Sequence, residues 1–85
     1  MQTFEYKIKD PVGLHARPAG LLVQCAQACT STVSISVNGK TADAKRLFAV
    51  MGLGVKQNDN VTFKVEGVSE VADAAKVKSF CQANI

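Results

Sequence analysis

The chain has 85 residues, of which 47% are hydrophobic and 20% charged, and its formal net charge at pH 7 is +3. A chain of this length builds one hydrophobic core, and this balance of residue types excludes an intrinsically disordered segment. The ten basic residues are interspersed with seven acidic ones, so no dense cationic patch for nucleic acid is evident, and no apolar run reaches the ~20 residues of a membrane span. We expect a single domain over residues 1–85, located in the cytoplasm.

The first two predicted elements are a strand and a helix. Phe4, Tyr6 and Ile8 alternate with polar residues, which is typical of a strand with one buried face. Over residues 16–28 apolar side chains recur at helical spacing, and Pro18 is tolerated because it falls in the first turn. The buried face of this helix is predicted to carry Ala19, Leu22, Val23 and Ala26.

A hairpin and a short helix follow. Residues 33–37 alternate in polarity, and Asn38 and Gly39 are turn residues that readily adopt positive φ before a third strand over residues 40–42. Residues 46–52 are good helix formers that end at a glycine. They predict a short helix.

A fourth strand and a last helix complete the chain. Residues 61–66 alternate in polarity and end at Gly67, and Ser69 stands where it would cap a helix that runs toward the C-terminus. The buried face of this helix is predicted to carry Val71, Ala74, Val77 and Cys81. The order β-α-β-β-α-β-α predicts an α+β fold, an open-faced two-layer sandwich in which three helices cover one face of a four-stranded antiparallel sheet.

The cysteines do not indicate a disulfide framework or a metal centre. Their number, three, is odd, whereas a small secreted domain normally uses an even one. Cys25 and Cys29 lie four residues apart on the first helix and could supply half of a metal site. Small cysteines of this kind more often fill a hydrophobic core, so we predict no metal and no cofactor.

The single histidine is the strongest candidate for chemistry. His15 follows a turn-forming Pro11 and Gly13 and stands at the start of the first helix. The backbone N–H groups of Ala16 and Arg17 and the positive end of the helix dipole favour an anion there, and the guanidinium of Arg17 suits phosphate oxygens. A neutral imidazole has a free lone pair that can attack phosphorus without a general base. We therefore predict that His15 and Arg17 carry a phosphoryl-transfer reaction.

This segment resembles a known signature. The residues from Gly13 to Ala19, GLHARPA, are similar to the active-site sequence of the HPr family, the histidine-containing phosphocarriers of the bacterial phosphoenolpyruvate:sugar phosphotransferase system. A second stretch, from Asn38 to Val55, falls at the spacing of that family, and the predicted order of elements agrees with its fold.

The resemblance implies both a reaction and partners. His15 is expected to accept a phosphoryl group on Nδ1 from Enzyme I, with phosphoenolpyruvate as the ultimate donor, and to pass it to the IIA component of a sugar permease. The protein is then a monomeric carrier with a covalent phosphohistidine rather than a stand-alone enzyme, and it meets the membrane only through permease components. A docking surface around His15 is expected to comprise Gly20, Leu21, Gln24, Lys45, Arg46, Leu47, Phe48, Met51 and Gly52. Leu47 and Phe48 are expected to be its exposed apolar anchors, although both also fit an ordinary core.

One residue departs from the family pattern. Many members carry a regulatory serine directly after the lysine that corresponds to Lys45, and this chain has Arg46 in that place. The expected site of ATP-dependent serine phosphorylation is therefore missing.

Two other functions share features with the carrier. RNA-recognition modules also place helices on one face of a four-stranded sheet, but they need stacking aromatic residues on the open face. The residues predicted there are Thr3, Glu5, Lys7, Ser34, Ser36, Thr62 and Lys64, none of them aromatic.

A paralogue in a regulatory, nitrogen-type phosphotransfer branch, or one domain of a multidomain sugar-specific carrier, stays open as an alternative.

Overall fold

A computed structural model describes residues 1–85 and contains four strands and three helices. None of the helices is both long enough and apolar enough to cross a membrane. In chain order the elements are β1 (Gln2–Lys7), α1 (Ala16–Gln27), β2 (Thr32–Val37), β3 (Lys40–Asp43), α2 (Leu47–Met51), β4 (Asn60–Glu66) and α3 (Glu70–Asn84). The predicted order β-α-β-β-α-β-α is confirmed.

The strands form one antiparallel sheet in the order β1-β4-β2-β3. The register places Phe4 opposite Phe63, and their rings stack with centroids 5.2 Å apart. The hairpin between β2 and β3 turns at Asn38 and Gly39, which have φ values of 50° and 80°. Those positive angles are what a two-residue turn of this kind requires, and they explain the Asn-Gly pair in the sequence.

The helices pack on one face of the sheet and leave the other face open. Ile35 and Phe63 are fully buried beneath the helices, whereas Glu5 and Lys64 on the opposite face are exposed. The α1 residues predicted to face the core, Ala19, Leu22, Val23 and Ala26, are all buried. The fold is therefore the predicted α+β open-faced sandwich, with its core between the sheet and the helical layer.

The start of α3 differs from the prediction. Ser69 occupies the N-cap position, but its side chain makes no capping hydrogen bond. The adjacent Glu70 instead accepts a hydrogen bond from the backbone N–H of Gly67 at 3.2 Å and pairs with the amino group of Met1. The amino group of Met1 is the main reason that the pKa of Glu70 lies below its ordinary value. The backbone hydrogen bond from Gly67 lowers this pKa further.

The buried face of α3 agrees with the prediction at Ala74, Val77 and Cys81, which are buried or partly buried, but not at Val71. Val71 is 68% exposed, whereas Val77 and Cys81 are fully buried and Asp73 is 3% exposed. The Oδ2 atom of Asp73 accepts the backbone N–H of Ser31 at 3.0 Å, directly before β2. Asp73 rather than Val71 therefore faces the protein interior, where its carboxylate is the acceptor for the N–H of Ser31.

The three cysteines contribute to the core, Cys25 from α1, Cys81 from α3 and Cys29 from the segment after α1. Cys29 and Cys81 are buried in the core, Cys25 is half-buried against it, and all three are free thiols. Burial raises the pKa of each thiol, that of Cys81 to about 12. A thiol with a raised pKa stays protonated and is a poor nucleophile, so these residues have the structural role predicted for them.

Candidate functional site

The loop before α1 is held in place by backbone contacts that only glycine permits. The N–H of Gly13 donates to the carbonyl of Asp10 at 2.9 Å and closes a turn. Gly13 has a φ of +77°, and a Cβ atom there would collide with the carbonyl oxygen of Val55. The next residue, Leu14, donates its N–H to that same carbonyl at 3.1 Å and buries its side chain in the core. The residue after it is thereby fixed at the protein surface.

His15 is the N-cap of α1, as predicted. Its backbone is extended, with φ −81° and ψ −174°, and its carbonyl accepts the N–H of Ala19 at 2.9 Å. The imidazole makes no capping hydrogen bond, and 41% of the side chain is exposed. A ring that neither caps the helix nor enters the core has at least one nitrogen free to react.

The first turn of α1 provides unpaired donors and positive charge beside that ring. The N–H groups of Ala16 and Arg17 take part in none of the loop and cap hydrogen bonds, because the first N–H groups of a helix have no intrahelical acceptor. Arg17 is exposed and forms none of the ion pairs of the structure. The first turn contains no acidic residue that would repel an anion. These features are those of an anion site.

An open cleft of about 340 Å³ is lined by both His15 and Arg17. The end of α3 forms its far wall, through Ala83 and Asn84, and Asp10 lies beside His15 with Oδ2 3.9 Å from Nε2. Sequence reasoning missed these three residues. Asp10 stands five positions before His15 in the same loop and could have been singled out by its charge, whereas only tertiary packing brings the end of α3 to the site.

The residues expected in the docking surface lie on both sides of the contact between α1 and α2. Phe48 is 86% exposed, and Leu21 and Met51 are each 39% exposed. Leu47 is half-buried and packs against the core. Of the two expected anchors, the structure therefore exposes Phe48 and turns Leu47 inward. Gln24 and Gly52 are exposed and Gly20 is half-buried.

The two basic residues of this surface have different environments. The Lys45 ammonium donates to the carbonyl of Cys29 at 3.0 Å, and the Lys45 carbonyl accepts the side-chain amide of Gln27 at 3.0 Å. These two bonds tie the end of α1 to the segment that leads into α2. The side chain of Arg46 is 80% exposed and lies 4.0 Å from the carboxylate of Asp43. Of these two positive charges, that of Arg46 is thus the more exposed.

Known proteins resemble this chain over nearly its whole length. A family model described as the PTS HPr component phosphorylation site matches residues 2–83. The phosphocarrier protein HPr of Mycoplasma genitalium is 36% identical over 85 residues, which are 99% of this chain and 97% of the relative.

Solved structures agree with the sequence match. The histidine-containing phosphocarrier protein of Mycoplasma has a TM-score of 0.93 at 30% identity and covers 99% of this chain and 98% of its own. An HPr dimer from Thermoanaerobacter tengcongensis has a TM-score of 0.77 at 32% identity, with 98% and 95% covered. Together with an exposed histidine at the N-terminus of α1, these matches identify the chain as a member of the HPr family, the phosphocarrier proteins of the phosphotransferase system.

Proposed function

We propose that this protein accepts a phosphoryl group on His15 from phosphorylated Enzyme I and passes it to the IIA component of a sugar permease. The observation that carries the proposal is the exposed imidazole of His15 at the N-cap of α1, beside free N–H groups and the unpaired Arg17. Membership of the HPr family supports the same reaction.

The chemical step needs only the lone pair of a neutral imidazole. That lone pair forms a bond to phosphorus while the bond between phosphorus and the donor breaks, and the electron pair of the broken bond stays with the donor. No base has to remove a proton, because the attacking nitrogen carries none. The exposed ring of His15, 41% of which is accessible, leaves room for a donor to approach in line.

The surroundings of His15 suit a phosphoryl group that must arrive and leave readily. The N–H groups of Ala16 and Arg17 and the helix dipole favour a bound dianion by about 0.3–1 kcal/mol, and a hydrogen bond from the Arg17 guanidinium adds about 1.5–3 kcal/mol. These contacts lower the free energy of the charged group without enclosing it, since His15 and Arg17 lie in an open cleft. A carrier needs this balance because it passes on what it receives.

We further propose that Enzyme I and IIA dock on one surface formed by α1 and α2. Its apolar centre is the side chain of Phe48, with Leu21 and Met51 beside it, and its charged rim is Arg46. Exposed aromatic residues bordered by charge are typical of protein-binding surfaces. A monomer in the cytoplasm fits this role, since a dimer that covered Phe48 would block docking and free thiols are typical of a reducing compartment.

The proposal is tested by reconstituting both transfer steps. The protein is incubated with phosphoenolpyruvate and Enzyme I, and then with a purified IIA protein, while intact-mass spectrometry follows the phosphoryl group. We expect stoichiometric phosphorylation that depends on Enzyme I, followed by its loss to IIA. Enzyme I of a nitrogen-type branch serves as the comparison: faster phosphorylation by that enzyme would assign the chain to a regulatory branch, and no phosphorylation by either would reject the carrier function.

A further inference from the structure

The carboxylate of Asp10 is fixed by the turn that precedes His15. The N–H of Asp10 donates to the carbonyl of Ile85 at 3.1 Å, and its own carbonyl accepts the N–H of Gly13 at 2.9 Å. Its side-chain Oδ1 accepts the N–H of Val12, also at 2.9 Å. Only 25% of the side chain is exposed. With Oδ1 used by the turn, the orientation of the carboxylate is set, and Oδ2 is the oxygen left without a backbone partner.

That second oxygen lies beside one particular nitrogen of the imidazole. Oδ2 of Asp10 is 3.9 Å from Nε2 of His15, which is within the range of a charge interaction but longer than a hydrogen bond. Contacts around a reacting group are often long in the free protein and shorten in the reacting complex. The imidazole is exposed and makes no hydrogen bond of its own, so no contact prevents it from rotating toward Oδ2.

A carboxylate near one nitrogen of an imidazole determines which nitrogen carries the proton. It favours the tautomer with N–H directed toward it and leaves the lone pair on the other nitrogen. We propose that Asp10 is a positioning residue that keeps the proton of His15 on Nε2, so that Nδ1 is the nucleophile. This inference rests on the proposed function, in which His15 is the phosphoryl acceptor.

The same carboxylate balances the charge that the transfer creates. When the Nδ1 lone pair bonds to phosphorus and the donor retains the electrons of the broken bond, the proton stays on Nε2 and the ring becomes a cation. Asp10 then faces that cation from the Nε2 side, while Arg17 and the N–H groups at the helix N-terminus donate to the phosphoryl oxygens. An anion opposite the site of attack stabilises positive charge as it develops on the ring.

Asp10→Asn tests this role because it removes the charge but keeps an oxygen for the N–H of Val12. The matched control is Asp59→Asn, since Oδ2 of Asp59 also accepts one loop N–H, that of Lys56, at 2.9 Å and has no ion pair with the imidazole. Two measurements are made on each protein. Nitrogen-15 NMR of the unphosphorylated protein, at a pH where the ring is neutral, reports the tautomer of His15, and rapid-quench kinetics with phosphorylated Enzyme I report kcat and KM.

We expect the wild type and Asp59→Asn to hold His15 mainly as the Nε2–H tautomer. In Asp10→Asn the population should move toward Nδ1–H, and kcat should fall about tenfold with KM unchanged, as is typical when a carboxylate that orients a histidine is removed. Asp10→Glu, which restores the charge, should recover part of kcat.

Equal tautomer populations in the wild type and Asp10→Asn would overturn the inference, and so would equal kcat values. If the wild type is phosphorylated on His15 but Asp10→Asn does not differ from it, the role of Asp10 is rejected and the proposed function stands. If the wild type takes no phosphoryl group on His15, the proposed function fails with it.

Discussion

Leu47 and Phe48 are neighbours in α2 whose side chains have opposite environments, Leu47 against the core and Phe48 86% exposed. Truncating each to alanine should separate stability from binding. Leu47→Ala is expected to lower the free energy of unfolding by about 1–2 kcal/mol, less than a fully buried leucine would, because the side chain is only partly buried. Phe48→Ala should leave stability within about 0.5 kcal/mol of the wild type.

The binding effects should be the reverse. We expect Phe48→Ala to raise the Kd for Enzyme I about tenfold, as for an aromatic residue at the centre of an interface. Chemical denaturation and isothermal titration calorimetry measure the two quantities. Unchanged affinity for Enzyme I in Phe48→Ala would remove this residue from the docking surface.

Arg17→Glu should change stability and transfer in opposite directions. A carboxylate in the first turn of α1 interacts favourably with the helix dipole, which stabilises the folded state by about 0.3–1 kcal/mol. The same carboxylate repels the phosphoryl group and removes a charged donor, so phosphorylation of His15 should slow by about 10- to 100-fold. Urea denaturation and rapid-quench kinetics measure the two effects. A variant that accepts phosphate at the native rate would show that Arg17 has no part in the transfer.

Arg46→Ser should stabilise α2 while slowing encounter with partners. Arg46 is the N-cap of α2 and makes no capping hydrogen bond, so a serine hydroxyl can supply one, worth about 0.5–2 kcal/mol. The lost pair with Asp43 is exposed and 4.0 Å long, and such pairs contribute little. We expect a higher Tm in thermal denaturation.

Kinetics test the other half of that prediction. Loss of one rim cation should lower the association rate with an acidic partner surface at low salt, and the difference should shrink as salt is added. Stopped-flow measurements at two ionic strengths decide this. An association rate that does not respond to the substitution at low ionic strength would mean that Arg46 does not contribute to encounter.

Asp73 should make the protein sensitive to acid. The hydroxyl of Ser31 lies beside the carboxylate of Asp73 but does not have the geometry of a hydrogen bond. The backbone N–H of Ser31 donates to the same carboxylate at 3.0 Å. The hydroxyl and the N–H both favour the charged carboxylate and hold the pKa of Asp73 below its ordinary value. A carboxyl with a lowered pKa in the folded state stabilises that state above its unfolded pKa of about 3.9. This contribution is lost as the pH falls through the lower, folded pKa.

The variant Asp73→Asn cannot ionise and therefore lacks this contribution. We expect it to be less stable than the wild type at neutral pH, and the gap between the two Tm values should close as the pH is lowered below about 4. Differential scanning calorimetry across this range provides the test. A gap of constant size would mean that ionisation of Asp73 does not stabilise the fold.

Local patterns in the sequence were sufficient for most of the fold and for the position of His15 at the start of α1. The alternation in the strands, the Asn38-Gly39 turn and the helical spacing in α1 each depend on neighbouring residues, and each is confirmed. His15 could be located at a helix start because Gly13 and Pro18 mark the boundary.

The missed features depend on contacts between distant segments. Asp73 is buried with its carboxylate on the N–H of Ser31, which lies 42 positions away in the sequence, and Val71 of the same helix is exposed. From the sequence, Lys45 resembles a free surface lysine, whereas in the structure its ammonium donates a hydrogen bond to the carbonyl of Cys29. Helical periodicity contains no information about either pairing.

The central claim, that His15 carries the phosphoryl group, is tested most directly by mapping the modified residue. The protein is phosphorylated with phosphoenolpyruvate and Enzyme I and digested under alkaline conditions that preserve phosphohistidine, and the modified peptide is sequenced by mass spectrometry. The variant His15→Ala is treated in parallel, with circular dichroism to verify its fold. We expect an acid-labile, base-stable phosphoryl group on His15 and none in the folded His15→Ala variant. Phosphorylation that persists in this variant, or that maps to another residue, would contradict the account.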